Sequence, residues 1–190
     1  MVGLFGHVVI QLGRSSSRFD VRGHIPYALS MSTRIKDPRI ITFDDATPRW
    51  GASLFVADTA RVIGDVVLGA QCSVWYGTVV RGDVHHIRIG DRVNLQDNTV
   101  VHVTTAMHPT VIEDDVTVGH RAVLHGCTVR RGALIGMGAV VMDQAIIGEN
   151  AMVGAGALVA PGTHIPDGML AIGCPARPKR PLTEQEHALS

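Results

Sequence analysis

Ala133-Leu134-Ile135-Gly136-Met137-Gly138, Ala139-Val140-Val141-Met142-Asp143-Gln144, Ala145-Ile146-Ile147-Gly148-Glu149-Asn150 and Ala151-Met152-Val153-Gly154-Ala155-Gly156 follow one another without a break. An aliphatic residue recurs at every sixth position: Val129, Ile135, Val141, Ile147, Val153, Val159 and Ile165. A period of six suits neither an α-helix nor an alternating strand. It is the pattern of a parallel β-helix, in which each hexapeptide makes one short strand and one corner. Three hexapeptides close a triangular coil of about 18 residues, and stacked coils bury the aliphatic column. The competing reading, a β-sandwich, needs seven in-phase positions to arise by accident.

The same step runs through Leu68, Val74 and Val80, then Ile89, Leu95 and Val101, then Ile112, Val118 and Leu124. Between these runs the register slips twice. Val80 to Ile89 carries three residues in excess, around Val84-His85-His86. Val101 to Ile112 carries five in excess, within Thr104-Thr105-Ala106-Met107-His108-Pro109. Both are expected to be loops bulging from corners, the second supported by Pro109 and its turn-like composition.

With the second slip treated as a loop, Val101 and Leu124 are one coil apart. His102 and His125, each next in sequence, then stack on adjacent coils, with backbones about 4.8 Å apart. That spacing suits two ligands converging on one ion. His120 follows Val118 by two and falls on another face, out of reach of the pair in the same chain. Three imidazoles with a fourth position left to water is a set zinc uses for catalysis. A neighbouring subunit that supplies His120 completes it, and three faces favour a trimer with sites at its interfaces. His85, His86 and His108 lie in the two slips. They are solvated loop residues by default and candidates for proton transfer.

Composition narrows the classes. The chain has 190 residues, is 46% hydrophobic and only 4% aromatic, and holds 21 glycines, which fits many short strands and tight turns. Its 17 basic and 17 acidic residues leave no net charge and no basic run of the nucleic-acid type. No apolar run approaches the ~18 residues of a membrane span. Three scattered cysteines, Cys72, Cys127 and Cys174, argue against a disulfide framework and for a reducing compartment, here the cytoplasm. Residues 1–40 read as a variable leader: Arg14, Arg18, Arg22, Arg34, Lys36 and Arg39 face only Asp20 and Asp37, and Ser15-Ser16-Ser17 adds serine. This is either a poorly ordered leader, with Met31 an alternative start, or a mitochondrial transit peptide. The β-helix is expected over 41–175. Over 176–190, Pro178 and Pro181, with Pro175 before them, break the strand pattern. Thr183-Glu184-Gln185-Glu186 has capping-box spacing, so a short helix is expected near Thr183.

Arg81-Gly82-Asp83, Asn94-Leu95-Gln96-Asp97-Asn98, Val101-His102-Val103, Thr117-Val118-Gly119-His120 and Leu124-His125-Gly126-Cys127-Thr128-Val129 together resemble the gamma-class carbonic anhydrases. The match covers roughly 50–186. The resemblance implies a left-handed β-helix, although the usual crossover preference is right-handed. It implies a homotrimer with Zn2+ at each interface, or Fe2+ or Co2+ in its place, held by His102 and His125 of one subunit and His120 of the next. It implies that Arg81 and Asp83 link subunits near the metal, that Gln96 hydrogen-bonds the metal-bound water and that Asp97 is an acceptor behind a ligand. The implied reaction is reversible hydration of carbon dioxide to bicarbonate, by hydroxide formed when zinc lowers the pKa of its water to near 7.

The chain departs from the family pattern in its acidic groups. Val84 stands where a carboxylate follows the Arg-Gly-Asp match, Val103 to Thr110 holds no carboxylate, and Met169-Leu170-Ala171-Ile172 is apolar where polar residues are expected. His85, His86 or His108 would have to carry the proton away. Two other functions compete: a metal-binding structural homologue without turnover, and a hexapeptide-repeat acyltransferase, for which nothing marks a coenzyme A site.

Overall fold

The computed structural model describes residues 37–187, and the expected leader lies outside them apart from its last four residues. Those four already join the coil, with Ile40 paired to Val62. Strands stack in parallel on three faces. The first face comprises Phe55–Val56, Ser73–Val74, Asn94–Leu95, Thr117–Val118, Leu134–Ile135, Met152–Val153 and Met169–Gly173. The second begins with the leading halves of two long strands, Arg61–Leu68 and Val79–Ile89, and continues as Val100–His102, Val123–His125, Val140–Val141 and Leu158–Val159. The trailing halves of those long strands open the third, followed by Thr110–Ile112, Thr128–Val129, Ile146–Ile147 and His164–Ile165.

Two-residue strands need only one inward side chain each, because successive residues point to opposite sides. The sixth-position aliphatics take that place: Val118, Leu124, Val129, Ile135, Val141, Ile147, Val153, Val159 and Ile165 are all fully buried. Burying each such side chain is worth roughly 1.5–3 kcal/mol. Two residues before them runs a second buried column, which includes Ala122, Ala133, Ala139, Ala145 and Ala151 at the corners.

The register slips take different forms. Gly64 pairs with Gly82 and Val66 with Ile87, so the first excess is absorbed as a bulge inside the strand Val79–Ile89. The expectation of a loop there is corrected: the neighbouring strand Arg61–Leu68 offers ladder partners on both sides of the insertion, so the chain stays extended through it. The second excess is a loop, closed by Thr104 N donating to the His108 carbonyl at 3.0 Å. The two slips touch, because Ala106 N donates to the Val84 carbonyl at 3.2 Å.

The tail also departs from expectation. Ala176–Pro181 is an antiparallel strand on Met169–Gly173, despite its prolines. An edge strand tolerates residues that donate no hydrogen bond. The expected helix forms over Glu184–His187, with Thr183 N donating to Glu186 Oε2 at 2.8 Å and Glu186 N to Thr183 Oγ1 at 3.3 Å. Cys72, Cys127 and Cys174 are all free, the first two buried.

Candidate metal centre

His102 and His125 end two stacked strands of the second face, directly opposite one another. The corner after them turns toward the third face. His102 Nδ1 and His125 Nε2 face each other at 3.1 Å, and the rings are tilted by 58°. Each ring's other nitrogen meets a carboxylate. Asp83, from the coil below, sits with Oδ1 2.9 Å from His102 Nε2. Asp143, from the coil above, sits with Oδ1 2.6 Å from His125 Nδ1. Arg81 pairs with the other oxygen of Asp83. Asp83, His102, His125 and Asp143 thus form one line up a single corner.

Burial pushes both carboxyls up, but hydrogen bonds outweigh it and hold them below the ordinary carboxylate value. For Asp83 the counterweights are His102 and Arg81, and for Asp143 the foremost is His125. Ionised carboxylates accept only, so they favour a proton on the outer nitrogen of each ring. The inner nitrogens then present lone pairs to one another, an arrangement that favours a cation between them. A tetrahedral zinc with nitrogens ~2.0–2.1 Å away would hold two of them about 3.3 Å apart. The donor chemistry and the spacing both fit a metal ion.

His120 stands on another corner, between the first and second faces. Its Nδ1 is 2.9 Å from Asp97 Oδ2. Asp97 lies one coil below it, where Arg121 N donates to the Asp97 carbonyl at 2.9 Å. Gln96 precedes Asp97 on this same corner, so it stands with His120 and away from the pair. Among the described residues, no three His, Cys, Asp or Glu of a single chain converge as a metal site. Tyr76 and Met137 continue the His120 corner below and above, with Asn98 N donating to the Tyr76 carbonyl and Gly138 N to the His120 carbonyl, each at 2.8 Å. Both side chains are at least half exposed, and Val100 nearby is also exposed.

The proton-transfer candidates divide. His85 and His86 line an open hollow with Asp44, Asp45 and Asp65, beside Asp83. The His86 imidazole is pushed down by partial burial, then by the Arg88 and His85 charges. His108 Nε2 is 3.1 Å from Gln144 Nε2, which ties the loop to the coil above. Asp143 is the site residue that sequence reasoning missed. The signal was there in part, since a 17-residue coil carries Gly126, the residue after His125, to Asp143.

Short parallel strands on three faces with a paired-histidine corner define a hexapeptide-repeat β-helix protein. Two family models agree: "Bacterial transferase hexapeptide (six repeats)" matches residues 126–161, and "Hexapeptide repeat of succinyl-transferase" matches 109–142. A "Probable carbonic anhydrase" of Methanocaldococcus jannaschii is 52% identical over 131 residues, covering 69% of this chain and 82% of that protein. "Gamma carbonic anhydrase 1, mitochondrial" of Arabidopsis thaliana is 48% identical over 149 residues, covering 76% of this chain. The chain spans 54% of that plant relative's length. The crystal structure of a hexapeptide transferase family protein from Anaplasma phagocytophilum superposes with a TM-score of 0.75 at 43% identity, covering 79% of this chain and 88% of that one. The chain belongs to the gamma-carbonic-anhydrase-like family of hexapeptide-repeat proteins.

Proposed function

We propose that this protein is a metal-dependent carbonic anhydrase whose sites form between three copies of the chain. The facing nitrogens of His102 and His125, 3.1 Å apart with a carboxylate behind each ring, carry the reading. Its relatives named as carbonic anhydrases supply the substrate, carbon dioxide. His120 completes the ligand set from the adjoining subunit. The exposed Tyr76 and Met137 on its corner, with Val84 and Met107 exposed beside the pair, are apolar surface that such an interface would cover.

Zinc is the first choice of metal, with iron or cobalt as alternatives, and when bound it makes hydroxide available at neutral pH. The chain's own groups do the rest. Asp83 and Asp143 orient the paired imidazoles, and Arg81 holds Asp83 ionised. Asp97 does the same service for His120 as the two other carboxylates do for the pair. Gln96 enters on the His120 side and aims a polar amide at the reacting water. His85 and His86, in the hollow with Asp83, and His108, beside Gly126, are the groups that take up the released proton, imidazole being a common general acid and base.

A second reading is a metal-bound protein without turnover. The observation in its favour is Val84, a half-exposed apolar side chain directly after Asp83, with no carboxylate in the loop opposite. Metal analysis and stopped-flow carbon dioxide hydration on the purified oligomer separate the two. The expected result is about one metal per chain and hydration that disappears in His102→Ala. A metal-loaded trimer no faster than that variant establishes the second reading, and a metal-free monomer removes both. Alanine variants of His85, His86 and His108 should slow turnover only in weak buffer and recover with added imidazole. For compartment the proposal is the cytoplasm; import of an Arg- and Ser-rich leader into mitochondria is the alternative, suggested by the name of the plant relative.

A further inference from the structure

We propose that Asp143 is a positioning residue: it accepts the Nδ1 proton of His125, fixes that ring with Nε2 bare toward His102, and reaches it only because residue 126 is glycine. The inference rests on the metal-centre reading in one respect, the purpose of the bare nitrogen.

The repeat itself delivers the carboxylate. Leu124 pairs with Val141, so His125 and Gly126 lie beneath Met142 and Asp143. Gln144 N donates to the Gly126 carbonyl at 2.7 Å, which locks that register through the corner. At other corners an Asp turned back over a glycine accepts a backbone amide, as Asp91 does from Ala70 N at 2.7 Å and Asp114 from Asp91 N at 2.9 Å. Asp143 instead turns its carboxylate back along the stack, leaving the side chain 27% exposed, and places Oδ1 2.6 Å from His125 Nδ1. Partly burying a carboxylate costs free energy unless it is paired. Among the described residues, His125 is its one ion-pair partner. Asp83 on the opposite side is shared with Arg81.

Gly126 makes the contact sterically possible. A Cβ at that position would stand 2.3 Å from Asp143 Oδ1 and 2.9 Å from the Cβ of His108. Its φ of +56° adds strain for any side chain. Any larger residue must drive the carboxylate off the ring or lift the 104–108 loop. Thr110 Oγ1 ties the same corner together, accepting from Gly126 N at 2.9 Å and donating to the His102 carbonyl. The glycine, the carboxylate and the imidazole are one mutually fitted unit. Which ring nitrogen carries the proton is set by the bond the other nitrogen makes, and such outer partners orient ligands and raise their basicity.

Long-range 1H–15N correlation spectra of the metal-free protein at a pH where imidazole is neutral read the tautomer directly. Wild-type His125 is expected to hold its proton on Nδ1. Asp143→Ala should move it to Nε2, the site a free imidazole prefers, and Gly126→Ala should do the same with Asp143 still present. Asp143→Asn, which keeps an acceptor, should retain part of the Nδ1 form. In chelator competition Asp143→Ala should weaken Zn2+ binding roughly 10–100-fold. A wild-type His125 protonated on Nε2 overturns the inference without any variant. So does an unchanged tautomer in folded Asp143→Ala. A tautomer that responds as expected in a protein that binds no zinc upholds the positioning role and sinks the metal reading alone.

Discussion

On the proposed division of ligands between three subunits, mixing two variants that each lack part of the site should restore metal binding to about a quarter of the wild-type level. In His120→Ala the paired corner is intact, with its nitrogens set 3.1 Å apart in the parent chain, but no subunit supplies the third imidazole. In His102→Ala the third imidazole is present, held by Asp97 at 2.9 Å, but every pair is broken. Neither homotrimer contains a complete site. In trimers refolded from an equimolar mixture, a site is complete when its pair comes from a His120→Ala chain and its third ligand from a His102→Ala chain. Each condition is met half the time, so about one site in four is whole. The assay is elemental analysis of zinc per chain; in trimers isolated by two different affinity tags, which are all 2:1 mixtures with one whole site in three, the value rises to about a third. Doubly tagged trimers with no more metal than the parent variants would refute the division of ligands between subunits. Wild-type zinc content in His120→Ala alone would remove that residue from the site.

Leu124 is fully buried between Val101 and Val141, next to His125, so Leu124→Ala should cost roughly 2–5 kcal/mol in urea unfolding at fixed protein concentration; a loss below about 1 kcal/mol contradicts a close-packed coil. Gly136→Ala should destabilise by roughly 1–3 kcal/mol, because its Cβ would meet the Ala155 amide nitrogen at 2.5 Å and backbone cannot yield as a side chain can. Thiol reagents should modify the exposed Cys174 in the native protein and reach Cys72 and Cys127 only on unfolding; rapid labelling of all three refutes the burial described. Burial pushes the Cys127 thiol from its ordinary 9.0 up to about 12. A raised folded value means its stabilising contribution is complete below about 9 and is lost as pH climbs to about 12. Cys127→Ala should therefore flatten the alkaline part of the stability curve, measured by denaturant midpoints across that window.

The solenoid was legible because its period is short and local. An aliphatic at every sixth position from Val129 to Ile165 can be satisfied by few architectures, and the stacking of His102 on His125 followed from counting eighteen residues plus a loop. The resemblance in the Arg81–Asp83 motif pointed to groups near the metal and that in Gln96–Asp97 to an acceptor behind a ligand, and the helix cap at Thr183 was readable from its spacing alone.

Other features depended on neighbours along the stack rather than along the chain. Whether Val84-His85-His86 became a loop or a bulge was decided by the strand Arg61–Leu68, which kept offering ladder partners past the insertion. The prolines of Ala176–Pro181 did not prevent a strand because Met169–Gly173 left an edge open to them. Asp143 could be counted to the right coil, yet only the folded corner shows its carboxylate turned inward to His125 through the gap at Gly126. Sequence determined the repeat, hence the coil and the height of every residue on it, since hydrophobic periodicity selects which side chains face inward. Tertiary structure decided where the polar groups at the corners point, since hydrogen bonds between coils set those rotamers and no local pattern encodes them.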